Sequence, residues 1–338
     1  MTTQEELQNT INDMVDNTRG ILAADESNPT IAKRFDSIGV ESTENNRRDY
    51  REILLTTEGL GDYISGIILF EETLAQKDDQ GTLLPELAVQ QRIVPGIKVD
   101  KGTGALPGAP GDKITYGLDG LADRLSGYKS QGARFAKWRE VYPISHHNPS
   151  VLGLSANAEM LARYAAVCQE VGVVPIVEPE VLMDGEHDIN RCAQVTEQVL
   201  HAVFEALVRH GVALELMLLK PNMVLPGKAC LTQASSKEVA TKTLRVLRRC
   251  VPAAVPSINF LSGGMSPEQA TENLNALNQL ATSPPWQLSI SYGRALQQPA
   301  LQAWQGDNRN RAATQAALLK RARLNSLAHQ GQYRTDME

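Results

Sequence analysis

Eight short aliphatic runs, separated by stretches of helical periodicity, constrain the fold of this 338-residue chain more than any other feature. They fall at 20–25 (GILAAD), 64–70 (ISGIILF), 94–100 (VPGIKVD), 133–144 (ARFAKWREVYPI), 173–180 (VVPIVEPE), 213–220 (ALELMLLK), 255–262 (VPSINFLS) and 286–292 (WQLSISY). Runs this short and apolar read as strands buried on both faces. The intervening segments at 157–171, 189–210, 236–249 and 267–281 carry apolar residues at helical spacing. Buried strands alternating with amphipathic helices imply a parallel sheet with helical crossovers. Eight such units, with no GxGxxG opening the first helix, favour an α/β fold of the closed (β/α)8 TIM-barrel type over an open dinucleotide-binding sheet. The Gly- and Pro-rich 101–116 (KGTGALPGAPGDKITY) reads as a long loop after the third strand. The segment 309–329, with Arg309, Arg311, Lys320, Arg321 and Arg323, reads as a helix packed outside the barrel. No linker divides the chain, so 1–338 is expected to form one domain with extra helices at each end.

A net charge of −6 lacks the basic footprint of a nucleic-acid binder. No apolar run approaches the roughly 20 residues of a membrane helix, and the acidic start MTTQEELQNTINDMVDN is no targeting segment. A cytoplasmic location is expected. Four scattered cysteines, Cys168, Cys192, Cys230 and Cys250, read as free thiols in a reducing compartment.

A barrel of this type places its chemistry at the C-terminal ends of its strands. Those ends carry Asp25, Lys98 and Asp100, Lys137 and Arg139, Glu178 and Glu180, Lys220, Ser262-Gly263-Gly264, and Ser291-Tyr292-Gly293-Arg294. Strand alternation puts Lys137 and Arg139 on one face, together with Phe135 and Ala133, and puts Glu178 and Glu180 on one face with Val177 opposite. Lys137, Glu178 and Lys220 then meet inside one mouth. A purely stabilising ion network is one reading, but buried ion pairs stabilise weakly because desolvation offsets their attraction. Amine catalysis on a ketone explains the set better. An amine crowded by a second cation in a dry site loses its proton more readily and can attack a carbonyl. Lys220, which ends a buried run and is followed at once by Pro221, suits the nucleophile. Glu178 suits the proton carrier beside it, and Asp25 suits the base for the departing half. Ser262-Gly263-Gly264 and Arg294 suit a phosphate. Lys98, Arg139, Lys33 and Arg34 suit a second one, although Lys33 and Arg34 equally suit a solvated helix face. Two anion sites flanking a reactive lysine imply a sugar bisphosphate.

Two rival readings stand beside this one. His146-His147, Glu180 and His187 could gather a zinc ion, although the adjacent histidines precede Asn-Pro in a turn context. The basic mouth could also serve as a scaffold for the acidic tails of cytoskeletal or membrane partners, a role that does not require Glu178 beside a lysine.

GILAADES at 20–27, GIKVDKG at 96–102, FAKWR at 135–139, PIVEPE at 175–180, LLKPNMV at 218–224, FLSGG at 260–264 and SYGRAL at 291–296 resemble the signatures of class I fructose-bisphosphate aldolase, in order along nearly the whole chain. The resemblance implies a lyase of glycolysis and gluconeogenesis, and of the Calvin cycle in a photosynthetic source. It also implies a homotetramer needing no metal or other cofactor, with sedoheptulose 1,7-bisphosphate as a possible second substrate. By that resemblance Lys220 forms the Schiff base, Glu178 accepts its proton, and Asp25 and Lys137 assist. Ser262, Gly263, Gly264, Ser291, Gly293 and Arg294 hold the C1 phosphate; Arg34, Lys98 and Arg139 lie toward C6. Two departures stand out. Asn28-Pro29-Thr30 replaces smaller residues near the C6 end. The sequence closes on GQYRTDME without the tyrosine-ended tail of relatives, which implies slow exchange of the enamine proton if the natural chain also ends there.

Overall fold

The computed structural model describes residues 2–338. Eight parallel strands close into a barrel: β1 (Gly20–Ala24), β2 (Ile64–Leu69), β3 (Val94–Lys98), β4 (Phe135–Tyr142), β5 (Val174–Val181), β6 (Leu218–Leu219), β7 (Ser257–Phe260) and β8 (Gln287–Tyr292). Each pairs with its sequence neighbours, and β8 closes onto β1 through Ile21 opposite Ser291. All eight expected strands are present.

Two apolar layers account for the closure. One gathers Leu7, Ile11 and Met14 with Ile21, Ile68, Val94, Phe135, Val174, Ile176 and Leu218. These strand residues point inward, and the first helix, Thr3–Met14, plugs the N-terminal end of the barrel with its apolar stripe. The other layer packs the outward strand residues, among them Ala136, Trp138, Val177 and Leu219, against the helical ring. Inside and outside therefore alternate residue by residue. Along β5, Val174, Ile176, Glu178 and Glu180 face inward, so the same period that fills the barrel floor with aliphatics delivers carboxylates at its rim. Ala133 departs from the expected face. It lies before β4 begins and packs with the outer layer, because alternation holds only once the strand is extended.

Helices follow each strand, including Val151–Val171, Ile189–Arg209, Ser236–Cys250 and Pro267–Leu280. Their starts are set by side-chain caps. Ser150, Asp188, Ser235 and Ser266 accept hydrogen bonds from the backbone N–H groups of Gly153, Arg191, Glu238 and Gln269. The Ser150 cap carries the first of these helices back to Val151, six residues before the periodic stretch begins.

Two segments differ from expectation. The run 213–220 is mostly not a strand: Leu214–Leu216 form a 3₁₀ turn and only Leu218–Leu219 pair in the sheet. The Gln169 side chain accepts from Ala213 N and donates to the carbonyls of Ala213 and Leu216, satisfying backbone groups that a longer strand would have paired. The Gly-rich connection after β3 is not irregular throughout, since Thr103–Ala105 and Lys113–Thr115 pair as an antiparallel hairpin. The helix Arg311–His329 lies outside the barrel as expected, but Arg321 is buried. Its guanidinium donates to Pro267 O and Thr271 and pairs with Glu338.

Candidate active site

The C-terminal mouth of the barrel opens into a cavity of about 600 Å³ whose lining includes Asp25, Lys98, Lys137, Glu178 and Lys220. A cavity of about 650 Å³ at the opposite end is slightly larger. Its arginines, Arg19, Arg92 and Arg134, are each paired with an aspartate, and no lysine lines it. The chemistry therefore belongs to the rim.

Glu178 holds the centre. Its Oε1 lies 3.2 Å from Lys220 Nζ and its Oε2 lies 3.2 Å from Lys137 Nζ. Lys137 continues to Asp25 Oδ2 at 2.8 Å and Asp100 Oδ2 at 3.9 Å, and Asp100 Oδ1 meets Lys98 Nζ at 2.6 Å. Three ammonium groups thus alternate with three carboxylates across adjacent strand ends. Lys137, Glu178 and Lys220 are each only 4% exposed. In such surroundings a carboxylate is the means of holding or releasing a proton.

The two central lysines are not equivalent. Burial disfavours charge on Lys137, but Asp25, then Glu178 and Asp100, outweigh it and hold the ammonium protonated well above the ordinary lysine range. Burial likewise works against the Asp25 carboxylate, and Lys137, followed by Lys220 and Lys98, holds it well below the usual range. Without substrate, Lys137 is therefore a cation paired with the ionised Asp25 carboxylate. Lys220, among the described residues, meets one carboxylate, Glu178. Its backbone N–H bonds to Val177 O at 2.8 Å, and Pro221, which has no N–H to donate, follows it.

On one side of the mouth, Ser262 and Gly263 follow β7, Ser291 lies at the end of β8 and Gly293 follows it. Gly263 adopts φ +52°, a backbone state suited to glycine. The helix Arg294–Trp304 begins here without a side-chain cap, so its first N–H groups are free to meet an anion. Arg294 Nη2 donates to Gly263 O at 2.8 Å, and buried Ser291 Oγ has no protein partner. A Cβ on Gly293 would approach Ala23 O to 3.3 Å and Arg34 Nη2 to 3.8 Å. Arg34 therefore reaches toward this side of the mouth. Across it, Lys98 is paired with Asp100 and Arg139 with Glu180.

A family profile described as fructose-bisphosphate aldolase class-I matches residues 6–338. The chain is 56% identical to fructose-bisphosphate aldolase 4, cytosolic, of Arabidopsis thaliana, over 95% of its own length and 81% of the relative. It is 52% identical to fructose-bisphosphate aldolase C of Carassius auratus, over 98% and 93%. It belongs to the class-I fructose-bisphosphate aldolases. A solved structure of fructose-bisphosphate aldolase from Plasmodium falciparum superposes with a TM-score of 0.96 at 50% identity, covering 98% of this chain and 96% of that one.

In this aldolase the structure gathers Lys220, Glu178, Asp25, Lys137, Lys98, Arg139, Arg34, Lys33, Ser262, Gly263, Ser291, Gly293 and Arg294 around one cavity. It does not bring Gly264 to the wall: its N–H is taken by Met183 Sδ at 2.8 Å, behind the loop. The side chains of the rival zinc reading are not assembled either. His146 and His147 face each other at 3.3 Å, Glu180 is engaged by Arg139, and among the described residues no cluster of three or more His, Cys, Asp or Glu side chains is arranged to hold a metal ion.

Two acidic residues had no assigned part in the sequence reading. Asp100 sits between Lys98 and Lys137, and the K-V-D spacing of strand alternation carried the signal for it. Buried Glu26 binds Arg34, Arg51 and Gln297 Nε2, the last at 2.8 Å. No local pattern joins residues 26, 51 and 297.

Proposed function

We propose that Lys220 is the Schiff-base residue through which this class-I aldolase reversibly cleaves fructose 1,6-bisphosphate to dihydroxyacetone phosphate and glyceraldehyde 3-phosphate. The observation that carries the assignment is the unequal sharing of Glu178. Lys137 is held as a cation by three carboxylates, while Lys220, which lines the same cavity, meets only the Glu178 carboxylate among the described residues. The backbone N–H groups at Gly263 and Gly293, with Arg294 and Ser291, hold the C1 phosphate and bring the C2 ketone to Lys220 Nζ. Lys98 and Arg139, across the mouth, meet the phosphate at the other end, whereas Arg34 reaches toward Gly293 on the C1 side and not toward C6 as the resemblance implied.

Nζ attacks C2, and Glu178 transfers protons as the carbinolamine loses water. The C4 hydroxyl gives its proton to Asp25, the C3–C4 bond breaks, and its electron pair passes into the iminium to form an enamine. The aldehyde half departs. The enamine is protonated at C3, and hydrolysis frees dihydroxyacetone phosphate and the amine. Lys137, fixed beside Asp25 and Glu178, stabilises negative charge developing on the sugar oxygens.

Borohydride reduction in the presence of dihydroxyacetone phosphate is expected to leave one stable adduct on the peptide carrying Lys220, and activity is expected to persist in a strong chelator. An adduct confined to Lys137 would overturn the assignment. Sedoheptulose 1,7-bisphosphate fits the same chemistry, because the added carbon lies beyond the bond that breaks. Its turnover beside fructose 1,6-bisphosphate tests that extension.

The cytosolic names of two Arabidopsis thaliana relatives support a cytoplasmic place in glycolysis and gluconeogenesis, and in the Calvin cycle if the source is photosynthetic. Among the described residues no helix is long and apolar enough to cross a membrane. A homotetramer rests on the family resemblance, and a monomer in sedimentation velocity would dismiss it.

A further inference from the structure

The phosphate-side loop Ser262-Gly263-Gly264 is held from behind by a methionine. Residues 183–187, which follow β5, and 227–229, which follow β6, are zipped together: Lys228 N donates to Met183 O at 2.7 Å, Gly227 N to His187 O at 2.8 Å and Ala229 N to Gly185 O at 3.0 Å. The zipped pair lays two side chains on Gly264. A Cβ there would lie 2.6 Å from Met183 Sδ, 2.2 Å from Lys228 Cε and 2.9 Å from Lys228 Nζ, so the ends of both side chains rest against this backbone. Met183 Sδ accepts the Gly264 N–H, and a Cβ on Gly263 would lie 3.5 Å from the same sulfur. With that N–H engaged behind the loop, the peptide before it is oriented and the Gly263 N–H can face the cavity. Behind the loop runs a narrow cleft lined mainly by Met183, Cys192, Met223, Leu225, Leu261 and Met265. Met265 and Met223 are buried, whereas Met183 is partly exposed.

We propose that Met183 is the positioning residue of this phosphate loop, and that its oxidation by a hydroperoxide weakens sugar-phosphate binding. The proposal rests on the aldolase reading above. In the step, a lone pair on Sδ attacks the terminal peroxide oxygen and the O–O bond breaks. A sulfoxide S–O bond forms, and the other oxygen leaves as water or an alcohol after taking up a proton. Sulfur is oxidised by two electrons and the peroxide is reduced by two. The product presents a strongly accepting oxygen where a flexible thioether had filled the cleft. Lys228 Nζ lies on the same side of Gly264, and its carboxylate partner Asp184 is 70% exposed and binds it weakly. The ammonium therefore draws the sulfoxide oxygen, the Gly264 N–H loses its acceptor, and the loop loosens.

The test is hydrogen peroxide treatment of the full chain with thiols re-reduced afterwards, followed by steady-state kinetics with fructose 1,6-bisphosphate and mass spectrometry of the Met183 peptide. KM is expected to rise about three- to tenfold, the scale of one lost hydrogen bond, while kcat changes less than twofold. Methionine sulfoxide reductase is expected to restore KM in step with loss of the Met183 sulfoxide. Met183→Leu is expected to begin with a modestly raised KM, because the acceptor is gone, and to respond no further to peroxide. An oxidised Met183 with unchanged KM, or a Met183→Leu variant as sensitive as the parent, would overturn the proposal, and the reductase arm decides it even if the variant folds poorly. Borohydride trapping on untreated protein keeps the two readings apart. Absence of an adduct on Lys220 removes the aldolase chemistry, whereas an adduct with peroxide-insensitive KM removes only the role of Met183.

Discussion

Lys220 and Lys137 have the same side chain and nearly the same burial, so at the scale of single residues their difference is one of company. Lys137 has Asp25, Asp100 and Glu178 around it, and Lys220 has Glu178. Removing the charge that both share while keeping its shape should therefore expose the proton-transfer role. Glu178→Gln is expected to lower kcat about 10²- to 10⁴-fold, the usual worth of a positioned acid–base group, with a much smaller change in KM. A kcat within tenfold of the parent in steady-state assays would take Glu178 out of the mechanism. Lys220, Glu178 and Lys137 were legible in the sequence because strand alternation is local. Glu26 was not, because its partners Arg51 and Gln297 reach it from distant parts of the chain.

Among elements, β3 and β4 show how tightly the barrel floor is set. Gly96 lies opposite Phe135 in the register, and a Cβ at 96 would come within 2.3 Å of the Phe135 ring, which is fully buried. Gly96 is thus the space that the aromatic ring fills, one turn of the pleat below Lys98 and Lys137. Gly96→Ala is expected to cost about 1–3 kcal/mol by overpacking. Adding Phe135→Leu should recover part of the loss, a non-additivity expected of residues in contact. Urea unfolding of the two single variants and the double variant measures this, and strictly additive losses would refute the contact. The existence of all eight strands was readable from apolar runs. The length of β6 was not, because Gln169, 44 to 47 positions earlier, decides which backbone groups near 213–216 need sheet partners.

The whole molecule adds a pH dependence that no single element shows. Glu140 lies on the outward face of β4, fully buried, and accepts from Trp138 Nε1 at 2.8 Å. Burial pushes its carboxyl up to about 7, against hydrogen bonds from Trp138 and Thr115 and with added repulsion from Asp100. The folded state then binds this proton more tightly than the unfolded chain does. Stability from this group is full below the ordinary glutamate range and is lost as pH rises toward 7. Glu140→Gln is accordingly expected to differ little in stability from the parent near pH 4.5 and to gain up to about 3 kcal/mol over it above pH 7. Denaturant midpoints at pH 5 and pH 8 check this, and an equal difference at both would dismiss it.

The sequence by itself determined the barrel, because strand and helix periods are properties of neighbouring residues and eight repeats leave few closed solutions. It also determined which lysine and glutamate end on the same rim, since the period of two carries inward-facing side chains from the floor to the mouth. Only the tertiary structure decided that Gly264 turns its N–H to Met183 and away from the cavity, that Arg34 leans toward Gly293, and that Glu26 gathers Arg34, Arg51 and Gln297. Those outcomes depend on distances between segments remote in the chain, and such distances are set by how the layers pack rather than by the local order of residues.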